Sequence, residues 1–260
     1  MQVIYNKYLS VEGYELSISK KGLRISTSSD AGLFYALQSI KSLTPAIASN
    51  AGKRVMELPY VEVVDAPRFG YRGFMLDISR NFKDKNTIKK YIDAMASYKL
   101  NVLHLHFIDD EGWRIAIAAL PELTAVGANR SASFADGLSI QPAYGSGVKT
   151  DAAQYLTRND FVELLKYAAE RHVTVVPEIE TPGHGRAAIK AMEARYHRFM
   201  KSGNKAEAER YLLHDFADSS VYNSAQNWND NVINVALPST YTFLSTVIDE
   251  FKSMYADAGV

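Results

Sequence analysis

Residues 101–114 read NVLHLHFIDDEGWR. The segment begins as an almost continuous apolar run, which is typical of a parallel β-strand buried on both faces. It stops abruptly at three adjacent acids, Asp109, Asp110 and Glu111. Because neighbouring carboxylates repel one another, a fold that keeps three of them together at a strand end has a use for their charge. We therefore expect these acids to belong to a functional site.

Two further segments have the same form. Residues 172–179 (HVTVVPEI) precede the turn ETPGH at 180–184, and residues 71–78 (YRGFMLDI) precede SRNF at 79–82. Charged groups thus follow three separate strands, which is the layout of an α/β-barrel enzyme. The predicted fold class is α/β, namely the first part of a TIM (β/α)8 barrel with about three βα units.

A small α+β domain is predicted ahead of the barrel, over residues 1–66, and the partial barrel then spans 67–260. Alternating polar and apolar residues at 14–19 and 23–27, separated by Gly22, indicate a β-hairpin in the small domain.

Helical patterns alternate with the barrel strands. Thr157 and Asp160 have the spacing of a capping box. The small and polar residues 131–154 predict a long loop that borders the site. Pro238 begins a last helix. Its buried face is predicted to carry Leu244, Val247, Ile248, Phe251 and Tyr255.

The overall charge excludes some classes of partner. Lys plus Arg and Asp plus Glu both number 29, so the formal net charge is zero and no basic tract would attract nucleic acid or an anionic membrane. Cysteine is absent, which excludes a thiolate nucleophile or metal ligand. No apolar run reaches membrane-spanning length, and the first residues show no signal peptide.

Three other residues join the acids as candidates for a site. Glu180 and His184 lie in the turn after the third strand, and a histidine beside carboxylates can transfer protons near neutral pH. Arg80 follows the first strand, where its planar guanidinium suits recognition of hydroxyl or carboxylate groups. A salt bridge from Arg80 to one of the acids is the alternative, and both can hold together.

A metal site is a second interpretation of the same segment. His104 and His106 lie two apart on a strand, so their imidazoles face one way, with Asp109 close by. Such a set binds zinc or iron in some barrels, and would make a metal-dependent hydrolase. Histidines in a barrel wall can equally pack in the core with satisfied hydrogen bonds. We expect no cofactor and no resident metal.

The motifs together resemble glycoside hydrolase family 20, the β-N-acetylhexosaminidases. The resemblance runs from about Glu12 to Val260. It rests on YRGFMLDISRNF, KLNVLHLHFIDDEGWRIAI, LPELTAVGANR and VTVVPEIETPGHGRAAI, in that order. It implies hydrolysis of terminal non-reducing β-linked GlcNAc or GalNAc with retention, in which the 2-acetamido oxygen of the substrate is the nucleophile. It also implies a periplasmic or secreted protein.

The resemblance implies a role for each candidate residue. Arg80 would bind the O3 and O4 hydroxyls of the sugar, with Asp110 also on the substrate side. Asp109 and His184 would support the general acid electrostatically. Glu180 stands where the family commonly has Asp, which keeps the charge but adds a methylene group.

One family motif has no counterpart in residues 1–260. The acid/base Glu and the Asp that orients the acetamido group belong to a His-x-Gly-Gly-Asp-Glu run at the end of the fourth strand, and no such run occurs here. We therefore expect this chain alone to be inactive. Three strands would also leave an open barrel edge, which predicts self-association. A non-catalytic carbohydrate-binding module is the alternative from another functional class.

Overall fold

The computed structural model describes residues 1–44, 57–132, 137–142 and 154–260. Most of the predicted loop at 131–154 lies outside these residues. None of the helices in the described residues is both long and apolar enough to cross a membrane.

The contacts within the chain divide it into two compact units. Unit 1 comprises residues 1–74, 91–102 and 170–174. Unit 2 comprises residues 75–90, 103–169 and 175–260.

Unit 1 contains a four-stranded sheet in the order β1-β3-β2-β4. The strands and the helix after β3 are β1 (Gln2–Tyr5), β2 (Tyr14–Ser19), β3 (Gly22–Thr27), α1 (Asp30–Leu43) and β4 (Val61–Asp65). The predicted hairpin is present, because β2 and β3 pair antiparallel from Tyr14 opposite Thr27 to Ser19 opposite Gly22. Gly22 has a φ of 111°, a conformation that glycine adopts without steric cost.

The core of unit 1 lies between this sheet and α1. Alternate residues of β2 point to one face, as a period of two requires. Ser29 caps α1 by accepting a hydrogen bond from the Gly32 N–H at 3.2 Å. The fully or nearly buried core residues are Tyr14, Leu16, Ile18, Ile25, Tyr35, Ala36 and Ile40.

A second sheet has three strands in the order β5-β6-β9. These are β5 (Gly73–Asp77), β6 (Val102–His106) and β9 (Thr174–Glu178). The Asn101 N–H donates to Arg72 O at the start of β5 and β6, and the Ile78 N–H donates to His106 O at their ends. Because the bonded positions advance together along both chains, β5 and β6 are parallel.

Helices follow each of these strands. They are α2 (Lys85–Ser97), α4 (Arg158–Ala169), α5 (Arg186–Lys201), α6 (Lys205–Glu209) and α7 (Pro238–Ala258). A short hairpin, β7 (Ile108–Asp109) with β8 (Gly112–Trp113), and the four-residue α3 (Glu122–Ala125) lie between β6 and α4. The described residues therefore form an α/β arrangement with a small sheet domain, as predicted.

Local sequence signals explain the ends of two helices. Thr157 and Asp160 form the predicted reciprocal cap, since each backbone N–H donates to the side chain of the other at 3.0–3.1 Å. Gly259 ends α7 in the left-handed conformation with a φ of 74°.

The predicted buried face of α7 was partly wrong. Val247 and Phe251 are buried, but Ile248 is 48% exposed. Phe243 and Met254 are buried in addition to the predicted positions. The helix is rotated toward an aromatic core, where Trp113 contacts Phe243 edge-on. Hydrophobic periodicity predicts one apolar face of the helix, but the surface packed against that face determines which of its residues are buried.

Candidate active site

The turn after β5 is held by buried arginines. The Asp77 carboxylate accepts the backbone N–H groups of Ser79 and Arg80 at 2.9 and 3.0 Å. The Ser79 carbonyl accepts hydrogen bonds from Arg114 and Arg130, whose side chains are buried. Two guanidinium groups on one carbonyl fix the direction in which the Arg80 side chain leaves the strand.

Arg80 is surrounded by three carboxylates from two segments of the chain. Its Nη1 lies 2.7 Å from Asp109 Oδ2 and 3.1 Å from Asp77 Oδ2, and its Nε lies 2.9 Å from Glu111 Oε2. Asp109 and Glu111 are 1% exposed. Among the described residues the remaining nitrogen, Nη2, has no protein hydrogen-bond partner. The salt bridges expected for Arg80 are therefore present, and the N–H groups of Nη2 can donate to another group.

His106 connects β6 with β9. Its Nε2 lies 2.8 Å from Asp109 Oδ2 and its Nδ1 lies 2.6 Å from Glu178 Oε2. Burial opposes protonation, but the hydrogen bonds with these two carboxylates outweigh it and raise the pKa of His106 to about 9. At neutral pH His106 is thus an imidazolium that donates both N–H groups.

His184 lies beside two carboxylates of the acidic segment. Its Nδ1 is 3.1 Å from Asp109 Oδ1 and 3.2 Å from Asp110 Oδ2, and its side chain is 38% exposed. The backbone of His184 has a φ of 53°, which is unusual for a residue other than glycine. Such strained positions concentrate at functional sites. The ring is therefore held by buried acids while the rest of it remains accessible.

Asp110 is fully enclosed by protein donors. Its oxygens accept the Asn231 amide at 2.9 Å and the Arg186 backbone N–H, at the start of α5, at 3.2 Å. Burial nevertheless raises the pKa of Asp110 above its usual range. The helix N-terminus and the amide explain how the fold tolerates a carboxyl group there.

The pKa values of the other acids are shifted in opposite directions. Burial acts to raise the pKa of Asp109, but hydrogen bonds from His106 and from the Asp110 N–H outweigh it and lower that pKa. Burial raises the pKa of Glu111, although Trp228 opposes this, and it raises the pKa of Glu180, where the nearby Glu178 adds to the effect. Carboxyl groups with pKa values pushed apart are typical of catalytic sites.

Several residues of the site were not predicted. Trp228 donates its Nε1–H to Glu111 Oε1 at 3.2 Å, and its ring packs 4.3 Å from the Arg186 guanidinium. Asn231 holds Asp110, as described above. The only sequence signal was that one of two tryptophans stands in the polar run QNWNDN at 226–231. This segment has no strand or helix pattern that would place it near the strand ends.

Comparisons with known proteins assign the chain to a family. Residues 69–260 match the family described as "Glycosyl hydrolase family 20, catalytic domain", and residues 2–66 match "Glycosyl hydrolase family 20, domain 2". The chain belongs to glycosyl hydrolase family 20.

Relatives within family 20 are longer than this chain. It is 45% identical over 249 residues to N,N'-diacetylchitobiase of Vibrio harveyi, covering 95% of this chain and 28% of that protein. It is 41% identical over 249 residues to β-hexosaminidase B of Pseudoalteromonas piscicida, covering 95% and 31%. The chain thus spans about a third of the length of these relatives.

A solved structure of the family has the same fold. It is the GH20 exo-β-N-acetylglucosaminidase of Vibrio harveyi in complex with N-acetylglucosamine, with a TM-score of 0.84 and 33% identity. The match covers 97% of this chain and 36% of that chain.

Four of the predicted site residues are linked by direct side-chain contacts. Arg80 contacts Asp109, and His184 contacts both Asp109 and Asp110. Glu180 is more distant, since its Oε1 lies 3.9 Å from His106 Nδ1. His106 and Glu178 therefore lie between Glu180 and the other predicted residues.

The metal interpretation required His104, His106 and Asp109 to form one ligand set. Instead, His104 Nε2 and His106 Nδ1 both approach Glu178 Oε2, at 2.8 and 2.6 Å. In the described part of the chain, compact groups of potential ligands are His106 with Glu178 and Glu180, and Asp109 with Asp110 and His184. The histidines of β6 thus both contact Glu178 and do not form the ligand set of that alternative interpretation.

Proposed function

We propose that this chain is part of a β-N-acetylhexosaminidase and carries the portion of the active site that holds the terminal sugar. The substrate class is an oligosaccharide or glycoconjugate with a terminal non-reducing β-linked N-acetylhexosamine. The observation that carries the proposal is the setting of Arg80 at the carboxyl end of β5. Buried Asp109 and Glu111 hold two of its nitrogens, and Nη2 has no protein partner among the described residues.

Arg80 fits the recognition of two adjacent hydroxyl groups. Asp109 and Glu111 already hold its guanidinium, so sugar binding does not have to immobilise the side chain and loses little conformational entropy there. The two N–H groups of Nη2 can each donate to one of two vicinal oxygens. We therefore assign to Arg80 the binding of the O3 and O4 hydroxyls of the terminal sugar.

Asp109 and His184 act in support of the general acid. Their contact, at 3.1 Å, joins a carboxylate that stays ionised to an accessible imidazole. An ionised carboxylate stabilises positive charge on the ring and fixes its orientation. Glu180, in place of the usual Asp, contributes charge from the neighbouring turn.

For Asp110 we propose a different role from the one expected. It is 0% exposed and its oxygens accept protein hydrogen bonds, so a sugar would have no direct access to them in this arrangement. We propose that Asp110 positions His184 and the start of α5 instead of contacting the substrate.

The proposed reaction retains configuration and uses the substrate's own 2-acetamido oxygen as nucleophile. An intramolecular nucleophile needs only correct folding of the acetamido group, which gives a large gain in effective concentration. The general acid and the Asp that orients the acetamido group belong to a motif that residues 1–260 do not contain. We predict that the 260-residue chain alone does not hydrolyse the substrate.

The architecture belongs to the same proposal. Residues 1–66 form the small α+β domain, and residues 67–260 supply about three βα units of an eight-stranded TIM barrel.

An apolar groove of about 530 Å³ lies between the end of β9 and α7, lined by Pro177, Ile179, Ile248, Phe251 and Tyr255 among others. We propose that a second copy of the chain covers this open edge in the isolated chain. Light scattering of a monomer across the micromolar range would contradict self-association.

Hydrolysis of p-nitrophenyl β-N-acetylglucosaminide tests the function. The assay compares the 260-residue chain with the longest reading frame that contains it. Activity of the longer protein only, if that protein contains the His-x-Gly-Gly-Asp-Glu run, is the expected result. Activity of the 260-residue chain would mean that Asp109, Asp110 or Glu180 performs acid–base catalysis. Sugar binding without hydrolysis in both proteins would favour a carbohydrate-binding module.

Variants of the longer protein test the role of Arg80. Arg80→Gln should lower kcat/KM about 100-fold, because a hydrogen bond from a charged donor to a buried sugar hydroxyl is lost. Arg24→Gln is the matched control, because Arg24 is an exposed cation on β3. Equal activity of the two variants would contradict the assignment of Arg80.

A further inference from the structure

Polar contacts around the site form a closed ring. It starts and ends at Arg80, and each member contacts the next through a hydrogen bond, an ion pair or a cation–π contact. In order, its members are Arg80, Glu111, Trp228, Arg186, Asp110, His184 and Asp109. The ring joins the proposed sugar-binding cation to the accessible imidazole by two routes, which the Asp110 N–H connects by donating to Asp109 Oδ1 at 2.7 Å.

The short route passes through a single residue. Asp109 lies between Arg80 at 2.7 Å and His184 at 3.1 Å. The long route depends on Trp228, which is the one member contributed by the segment between α6 and α7. Trp228 is the member whose side chain contacts the side chains of both Glu111 and Arg186.

Trp228 is well suited to hold Glu111. The indole N–H donates to Glu111 Oε1 at 3.2 Å, and Arg80 Nε donates to the other oxygen, Oε2, at 2.9 Å. The Arg186 guanidinium packs on the indole at 4.3 Å, and Asp230 holds Arg186 Nε at 2.8 Å. The indole is thus fixed at both its N–H and its ring face.

We propose that Trp228 is a positioning residue, whose indole N–H orients Arg80 by fixing the carboxylate of Glu111. The benefit to sugar binding rests on the proposed function, but the positioning itself does not. Without this donor, Oε1 of a carboxylate that is 1% exposed would lose its partner. An unpartnered buried acceptor is costly, so the carboxyl group would rotate or take up a proton. Either change releases Arg80 Nε.

The charge state of Glu111 supports this view. Burial raises the pKa of Glu111, and the Trp228 hydrogen bond is the largest of the effects that lower it. Loss of the N–H therefore favours the neutral carboxyl group, which attracts the guanidinium less strongly. The indole N–H thus favours the ionised partner that Arg80 requires.

The chain supplies a matched control in its other tryptophan. Trp113 donates its Nε1–H to the Ile115 carbonyl at 2.6 Å and is 1% exposed. Trp113→Phe and Trp228→Phe therefore remove the same chemical group from one hydrogen bond each. Only the second bond belongs to the ring, and phenylalanine keeps an aromatic face for Arg186.

The test is the exchange of the Arg80 Nε–H with water, measured by ¹H–¹⁵N NMR on the full 260-residue chain. Arg80→Lys identifies the resonance. Trp228→Phe should speed exchange about tenfold, while Trp113→Phe should leave it unchanged even though it lowers thermal stability more. Unchanged exchange in Trp228→Phe, or equal acceleration in both variants, would overturn the proposal.

Sugar affinity is the second measurement that tests the proposal. Calorimetric titration with N-acetylglucosamine should show about tenfold weaker binding for Trp228→Phe than for the unaltered chain. If the unaltered chain binds no sugar but the exchange result is as expected, sugar binding by these residues alone fails and the positioning role of Trp228 stands, while hydrolysis by the longer protein still tests the proposed function. If sugar binds and exchange is unchanged, the positioning role fails alone.

Discussion

The carboxyl ends of β5, β6 and β9 gather charged side chains, and so do the residues around the amino ends of β5 and β6. The first set, here the carboxyl-end cluster, lies in unit 2 and comprises Asp77, Arg80, His106, Asp109, Asp110, Glu111, Glu178 and Glu180. The second set, here the amino-end network, lies in unit 1 and comprises Glu12, Asp65, Arg72 and Lys99.

The amino-end network is balanced. Arg72 Nη2 binds Glu12 at 2.8 Å, and Lys99 Nζ binds Asp65 at 2.7 Å. Lys99 also donates to the Tyr14 and Ser39 hydroxyls at 2.8 Å. Each charge has an opposite partner and some access to water, which is the pattern of pairs that contribute to stability.

The carboxyl-end cluster is unbalanced. Its six acids outnumber its two cations, Arg80 and protonated His106, even with the His184 imidazole beside Asp109 and Asp110, and three of the acids are at most 1% exposed. Uncompensated buried charge is costly, and a fold keeps it where chemistry requires it. An excess of one charge, rather than the number of ion pairs, therefore marks the functional end of these strands.

Removing the central cation of each set should give the largest difference in stability between the two sets. Arg80→Met should lower the free energy of unfolding by about 3–5 kcal/mol, because buried Asp109 and Glu111 lose their partner. Lys99→Met should cost about 1 kcal/mol, because Asp65 is 42% exposed and water replaces the ammonium group. Urea unfolding at pH 7 measures both changes. Equal losses would mean that both clusters act only as stabilising pairs.

The pH dependence of stability tests the second cation of the carboxyl-end cluster. The pKa of His106 is raised from 6.5 to about 9 on folding, so its contribution is complete below pH 6.5 and is lost as the pH rises through 9. Unfolding free energy should fall by about 3 kcal/mol between these values. Urea titrations at several pH values give this slope.

Two histidine variants make this measurement specific. His106→Gln should flatten the curve between pH 6.5 and 9, since no imidazolium remains to be neutralised there. His197→Gln, which alters an exposed histidine on α5, should keep the slope of the unaltered chain. A slope that survives in His106→Gln would assign the titration to another group.

Removing one excess acid should have the smallest effect, and in the opposite direction. Burial and the nearby Glu178 raise the pKa of Glu180, so folding disfavours its ionised form at neutral pH. Glu180→Gln should therefore raise the free energy of unfolding by about 0.5–1 kcal/mol. Glu15→Gln, at an exposed position of β2, should leave it unchanged within about 0.5 kcal/mol. A loss of stability in Glu180→Gln would contradict the excess of acid.

The sequence predicted the elements of the site that lie next to strands. Arg80, Asp109 and Asp110 directly follow apolar runs, and parallel strands bring their carboxyl ends to one edge. His184 was found in the same way, because the turn after a strand is short. Neighbouring position along the chain was a sufficient guide for these residues.

The sequence did not predict the residues that reach the site from far along the chain. Trp228 and Asn231 lie more than forty residues after the end of β9, in a segment without regular structure in most of its length. Their place depends on the packing of α5 and on side-chain bonds to Glu111 and Asp110. Such contacts leave no periodic pattern in the sequence.

From the sequence alone came the family, the hairpin of the small domain, the alternation of three strands with helices, and the charged groups at the strand ends. Hydrophobic period and strand-end position are local properties, so a linear chain records them. Only the tertiary structure decided that Asp110 is enclosed, that His106 is protonated between two acids, and that Trp228 closes a ring of contacts. Burial and pKa depend on neighbours from distant parts of the chain, and only folding brings these neighbours together.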